Sequence, residues 1–243
     1  MHNALNVLSI DFDFFQNTTA DIMSRCYPDG IDLPTSISRI VWSSYYATPT
    51  TSKDLNSVTI DQKNLDMLSV KLAGCKTDIP VMIANSHVKI YDFIHGLMLK
   101  NNLLKLNVTN IDMHNDMIND NYELDCGNWL KFISDDYDTS ITWIAKPASF
   151  DMYGLDKTAF NMIKTNLTDI NPQSIDAIFL CRSDAWLPPH LDIHFDHLKS
   201  FMTKTFKDVS IEPDVANPRS VTKIVNQISP LYSKAAKSTN ERK

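Results

Sequence analysis

Five short apolar runs recur along this chain, and each stops at a polar or charged residue. Asn6-Val7-Leu8-Ser9-Ile10 ends at Asp11, and Pro80-Val81-Met82-Ile83-Ala84 precedes Asn85-Ser86-His87. Leu106 to Ile111 ends at Asp112, Ile141 to Ala145 precedes Lys146, and Ile175 to Cys181 precedes Arg182-Ser183-Asp184. Runs of this length read as buried strands. Patterns of helical period separate them. Asp61 is placed to N-cap a helix to Ala73 with Leu65, Leu68 and Leu72 on one face, and Gly74 ends it. Val88 to Leu104 carries a stripe of Ile90, Phe93, Ile94 and Leu97, and Gly127 to Ser134, Leu155 to Asn166, Asp192 to Phe206 and Val221 to Ser229 also read as helices. This alternation predicts an α/β fold: three layers, a mostly parallel sheet with helices on both faces. Gln16 to Thr59 reads as irregular, broken by Pro28-Asp29-Gly30, Pro34 and the stretch from Tyr45 to Ser52. An apparent loop of this length is either functional or contains short helices that the pattern does not place. A single domain is expected over 1–232, followed by a frayed basic tail over 233–243.

A length of 243 residues suits one such domain, and a hydrophobic fraction of 43% suffices for its core. The net charge of -6 argues against nucleic acid as a partner and is compatible with a cationic substrate. Cys26, Cys75, Cys126 and Cys181 form no CxxC pair, so they read as reduced thiols of a cytoplasmic protein. No apolar run approaches the ~20 residues needed to cross a bilayer, so no membrane partner is expected. Oligomeric state leaves no signature in the chain. The glutamates are Glu123, Glu212 and Glu241, so carboxylate chemistry here falls mainly to aspartates.

Three of the run ends carry metal-ligand chemistry. In Asp112-Met113-His114-Asn115-Asp116 the ligand types alternate by two, which in extended backbone puts both carboxylates and the imidazole on one face. Asp11-Phe12-Asp13 has the same geometry, and His87 stands alone after its strand. In an open parallel sheet, ligands gather at the carboxyl ends of strands. Four carboxylates and two imidazoles without a thiolate suit a pair of manganese ions better than structural zinc. Two ions about 3.5–4 Å apart bridge a water and deliver it as hydroxide.

The set of DxHxD, a separate strand-end histidine and DxD resembles the metal motifs of the arginase and agmatinase (ureohydrolase) superfamily. More closely, Leu8-Ser9-Ile10-Asp11-Phe12-Asp13-Phe14-Phe15, Asn85-Ser86-His87, Cys126-Gly127-Asn128-Trp129 and Cys181-Arg182-Ser183-Asp184-Ala185-Trp186 are similar to the peptide arginases. Those enzymes convert arginine in ribosomally made precursor peptides to ornithine and release urea. The resemblance implies an arginase/deacetylase-like fold with rearranged motif order, two Mn2+ ions and an arginine-containing precursor peptide as substrate. It implies that Asp11 and Asp112 bridge the ions, that His87 and Asp116 complete one site, and that His114 and Asp13 complete the other. A metal-bridging hydroxide would attack the guanidinium carbon, with Asp116 as proton carrier. It also places Asn128 and Trp129 on a substrate-contacting loop, although Trp129 reads equally as a core anchor.

This chain departs from the arginase pattern. DxD is N-terminal instead of late, no Gly-Gly-Asp precedes His87, and no proline follows DxD. Lys131 stands near the position of the proton-relay histidine, and the guanidinium-binding glutamate has no match. Asp184 reads either as the carboxylate in that role or as a turn residue before Pro188-Pro189. His190, His194 and His197 read as surface residues. A second function class fits part of the pattern: a haloacid-dehalogenase-like magnesium phosphatase using Asp11 and Asp13, with Lys146 on the phosphate. It lacks an aspartate pair after a strand and leaves His87, Asp112 and His114 unexplained. A non-catalytic module with a structural metal is the third reading.

Overall fold

The computed structural model describes residues 4–28, 32–118, 123–153 and 160–220. Its centre is a seven-stranded sheet: β1 (Ala4–Asp11), β4 (Pro80–Ala84), β5 (Lys105–Ile111), β6 (Asp138–Ile144), β7 (Met162–Lys164), β8 (Ala177–Cys181) and β9 (Asp208–Ile211). These lie in the order β7-β6-β5-β1-β8-β4-β9, and every pairing is parallel. A separate two-residue ladder joins β2 (Gln16–Asn17) to β3 (Thr59–Ile60).

Helices cover both faces, so the fold is the expected three-layer α/β arrangement. Residues of alternate parity along β1 divide between two cores. Leu8 and Ile10 pack with Leu65, Leu68 and Leu72 of α4 (Gln62–Ala73) and with Phe195, Leu198 and Met202 of α8 (Asp192–Thr205). Leu5 and Val7 pack instead with Ile90, Ile94 and Met98 of α5 (Lys89–Asn101) and with Trp129, Leu130 and Ile133 of α6 (Trp129–Asp136). Each fully buried leucine, such as Leu68 or Leu72, contributes roughly 1.5–3 kcal/mol. The Asp61 side chain caps α4 as expected, accepting from the Asn64 N–H at 3.2 Å.

Two expectations are corrected. The stretch from Gln16 to Thr59 is not irregular: it holds α1 (Ala20–Cys26), α2 (Thr35–Ala47) and α3 (Pro49–Leu55). Two of its prolines start helices, Pro34 as the N-cap of α2 and Pro49 at the first turn of α3, where a missing N–H leaves no bond unmade, while Pro28 follows the C-cap of α1. Met23, Cys26, Tyr27, Trp42 and Leu55 of this segment pack on Met113, capping the carboxyl edge of the sheet. The helix expected from Leu155 to Asn166 falls partly on 154–159, outside the described residues, and its remainder contains strand β7. Pairing with β6 through Thr142 to Ile144 overrides local propensity there. The helix expected from Val221 and the tail over 233–243 lie outside the described residues.

Behind the carboxyl edge lies a second polar feature, a buried network of ions. Arg219 donates to Asp192 at 2.6 and 3.0 Å, to the Asp184 carbonyl at 2.8 Å and to the Leu187 carbonyl at 2.7 Å. Arg182 donates to the Asn217 and Asp214 carbonyls at 3.0 and 2.8 Å, and Lys199 to that of Val215 at 2.6 Å. Three cations thus fasten the segment 212–219 to the sheet. Removing one partner of a buried pair leaves an uncompensated charge. Arg219→Ala leaves Asp192 with the Arg182 guanidinium at 3.8 Å as its nearest cation in the network. It is expected to lower unfolding free energy by about 3–5 kcal/mol, measured by chemical denaturation; a loss below about 1 kcal/mol would show that the network does not hold the segment.

Candidate metal centre

Strand register assembles the centre. Ile10 of β1 pairs with Ile111 of β5, so Asp11 and Asp112 leave adjacent strands at the same level. Asp11 and Ala84 both pair with Cys181 of β8, so His87, three residues after Ala84, starts from that level two strands away. The four aspartates and His87 are each exposed by 3% or less, and His114 is only slightly more open.

The six expected ligands are brought together, in two groups. His87 Nδ1 lies 3.2 Å from Asp11 Oδ2, 3.2 Å from Asp112 Oδ2 and 3.1 Å from Asp116 Oδ2. His114 Nδ1 lies 2.9 Å from Asp13 Oδ2 and 3.5 Å from Asp112 Oδ1. Donor atoms of Asp11, His87 and Asp112, and separately of Asp13, Asp112 and His114, lie within 4.8 Å of one another. Asp112 therefore faces both groups, one oxygen to each, as a bridging carboxylate must. Asp11 sits with the His87 group, its other oxygen accepting from the Asp13 N–H at 3.2 Å.

Donor chemistry and burial fit divalent cations. Asp13 Oδ1 and Oδ2 and His87 Nδ1 are buried and lack a hydrogen-bond partner among the described residues. Such groups are normally paired or coordinate a metal. In the metal-free protein, protons must do part of that neutralising. Burial, and then the charges of Asp13 and Asp112, push Asp11 well above the ordinary carboxylate range. Burial also raises Asp13. Asp116 is pushed up to about 7 by burial and the charge of Asp112. Burial disfavours the His87 cation, but Asp116, Asp11 and Asp112 outweigh it and carry the imidazole upward. Burial would raise Asp112 too, yet contacts with both imidazoles hold it low. The carboxylate that faces both groups is thus the most acidic of the four, and protons and metal compete for the rest.

A surrounding layer orients the ligands. His87 Nε2 lies 2.7 Å from Ser9 Oγ, so an Nδ1 that ligates a metal would leave Nε2 to carry the proton and donate to the hydroxyl. The ring stacks on Phe179, centroids 5.8 Å apart. Asn110 Nδ2 donates to Asp112 Oδ2 at 3.2 Å, and Trp143 Nε1 to the Asp112 carbonyl at 3.1 Å. Trp129 Nε1 donates to Asp116 Oδ2 at 2.5 Å. Asp116 itself has φ 50°, a left-handed conformation that aspartate tolerates better than most residues. None of Ser9, Asn110 or Trp143 was expected from sequence. A signal was present: Ser9 and Asn110 are polar residues two positions before an aspartate at the strand end, hence on a shared strand face.

The three residues expected at the substrate are each engaged within the protein. Trp129 and Asn128 are fully buried. The Trp129 indole orients Asp116, while Asn128 ties its own loop together, accepting from the Asp125 N–H and donating to the Glu123 carbonyl, both at 2.8 Å. The Asp184 carboxylate is already engaged, accepting from Arg182 at 2.5 and 3.0 Å and from Thr35 Oγ1 at 2.9 Å. Receiving a substrate guanidinium would require displacing the protein's own. Of the C-terminal histidines, His197 is exposed and His194 partly so, but His190 is half-buried between Tyr46 and the Val58 carbonyl.

Two outcomes test the centre. Ser9→Ala should weaken metal binding by roughly 10–100-fold without unfolding the chain, read by metal titration; an unchanged affinity would remove Ser9 from the centre. Because Asp116 titrates at about 7 in the metal-free protein, metal uptake below that pH must expel its proton. Affinity should therefore climb as pH rises through about 7, and keep climbing while Asp11 and His87, both raised, still hold protons. Calorimetry in buffers of different ionisation heat should register the released protons, and a pH-independent affinity would contradict this. In comparisons with known proteins, no protein-family model, curated protein or solved structure matches the chain, so the functional reading rests on this centre.

Proposed function

We propose that the protein is a binuclear, manganese-dependent hydrolase that converts peptidyl-arginine to peptidyl-ornithine with release of urea. The observation that carries this reading is the pair of imidazole–carboxylate groups sharing Asp112. Asp11, His87, Asp112 and Asp116 would hold one ion; Asp13, Asp112 and His114 would hold the other. When bound, such a pair supplies Lewis acidity and lowers the pKa of a water to near neutrality. The arginine specificity follows from the likeness of the motifs to the peptide arginases, and the net charge of -6 accords with a cationic substrate.

The chain's own groups then have defined tasks. Hydrolysis forms a bond from the water oxygen to the guanidinium carbon and breaks the bond from that carbon to the side-chain nitrogen. A proton must pass from the water to the departing amine. Asp116 suits this transfer by position: its carboxylate lies among the ligands, 3.1 Å from His87 Nδ1, and is fixed by the Trp129 indole. Ser9, Asn110 and Trp143 keep the neighbouring ligands in place. A cleft of about 560 Å³ is lined by Phe14 and Met113, chain neighbours of Asp13 and His114, though by none of the six ligands themselves. Its size suits a stretch of peptide beside the reacting side chain better than a free amino acid.

The phosphatase reading draws no comparable support. Asp13 lies against His114, and the Lys146 amine is engaged by the Gln16 carbonyl at 2.7 Å, with Asp61 at 4.0 Å.

The test is urea release from an arginine-containing peptide by the manganese-loaded chain. About two ions per chain are expected, with activity lost on chelation. Asp112→Asn should leave the fold intact and reduce both metal content and turnover by more than about 100-fold. No urea from any arginyl peptide or from free arginine, with metal bound, would end this reading; unfolding of Asp112→Asn would favour a structural metal.

A further inference from the structure

We propose that Asp32 is the carboxylate that receives the substrate guanidinium. This inference rests on the hydrolase reading above, which leaves that partner unassigned.

Three aspartates that are not metal ligands stand around the His87 side of the centre: Asp32, Asp125 and Asp184, with Asp32 in the field of the other two and of His87. Asp184 is neutralised by Arg182, and Arg219 lies 3.7 Å away. Asp125 serves its own turn, accepting from the Gly127 N–H at 2.8 Å. Asp32 differs from both. It is half-buried just before α2, and its Oδ2 accepts from the hydroxyl of Ser86, the residue before His87. No lysine, arginine or histidine among the described residues forms an ion pair with it. A partly desolvated carboxylate with no ion pair among the described residues, and only the more distant His87 charge to offset Asp125 and Asp184, is an arrangement that a bound cation relieves.

A second group on the same pair of loops has the matching deficit. Asn85 is buried, and its Nδ2 donates to Thr35 Oγ1 at 3.0 Å, but its Oδ1 has no donor among the described residues. A guanidinium offers five N–H donors in one plane, enough to serve a carboxylate and an amide oxygen together. It also carries the positive charge that Asp32 lacks. The loop of His87 thus holds a metal ligand at one residue and, through Ser86, the substrate-binding carboxylate at the next.

The experiment uses the full, manganese-loaded chain and two peptides, one with arginine and one with citrulline, its neutral counterpart. Wild type should bind the arginyl peptide more tightly by roughly 10–100-fold, as expected for a charge-assisted hydrogen-bonded pair. Asp32→Asn should reduce that preference to within about threefold at unchanged metal content, and Asp32→Glu should recover part of it. If the Asn variant does not fold, Ser86→Ala, which releases Asp32 without removing its charge, should narrow the preference instead. A wild type without preference, an Asn variant that keeps it, or an Asn variant that loses metal would each overturn the role. Urea release separates the two readings. An active wild type with an unaffected Asp32→Asn refutes only Asp32, whereas Asp32-dependent arginyl binding without urea refutes the hydrolase.

Discussion

Four aspartates buried at one edge of a sheet are the constraint to which the rest of this structure answers. Parallel register brings Asp11 and Asp112 side by side, and the short loops after them turn Asp13 and Asp116 into the same volume. Two imidazoles cannot balance four such charges, so either protons or cations must be taken up. The other buried ionic cluster, only a strand end away, is solved differently. There Asp184 and Asp192 meet Arg182 and Arg219, and the chain supplies its own counter-charges. One edge of the sheet thus holds a self-neutralised cluster that fastens the segment 212–219, beside an under-neutralised cluster whose side chains could hold metal ions.

The fold was legible where pattern and burial agree. Apolar runs ending in Asp11, His87 and Asp112 mark buried parallel strands, and stripes such as Leu65, Leu68 and Leu72 mark helices packed on them. It was illegible where one residue type has two uses. Pro34 and Pro49 start helices, although proline equally ends them, and Met162 to Lys164 becomes a strand only through pairing with β6.

That the six side chains meet was readable from their places just after strands, and not from alternation by two. Asp13 lies in a 3-10 turn over Phe12–Phe15 and Asp116 has φ 50°, so neither motif is extended backbone. Partner choice was not readable. Whether Asp184 meets a substrate or Arg182 depends on contacts between residues only two apart in a turn, and whether Trp129 faces solvent or Asp116 depends on how α6 packs. Asp32 carries no local motif at all, and its interest arises only from Ser86 beside it and from the lack of a described cation.

Asp112 gives one oxygen to the His87 group and the other to the His114 group, so the two positions are not thermodynamically independent. On metal binding, a first ion would replace the imidazole–carboxylate contact on its own side and fix the carboxylate plane that a second would need. It would also add positive charge close to the second position, so preorganisation and repulsion together would set the sign of the coupling. Partial occupancy would then be a distinct molecular state, with one imidazole still paired to a carboxylate, and a single side chain would govern its abundance.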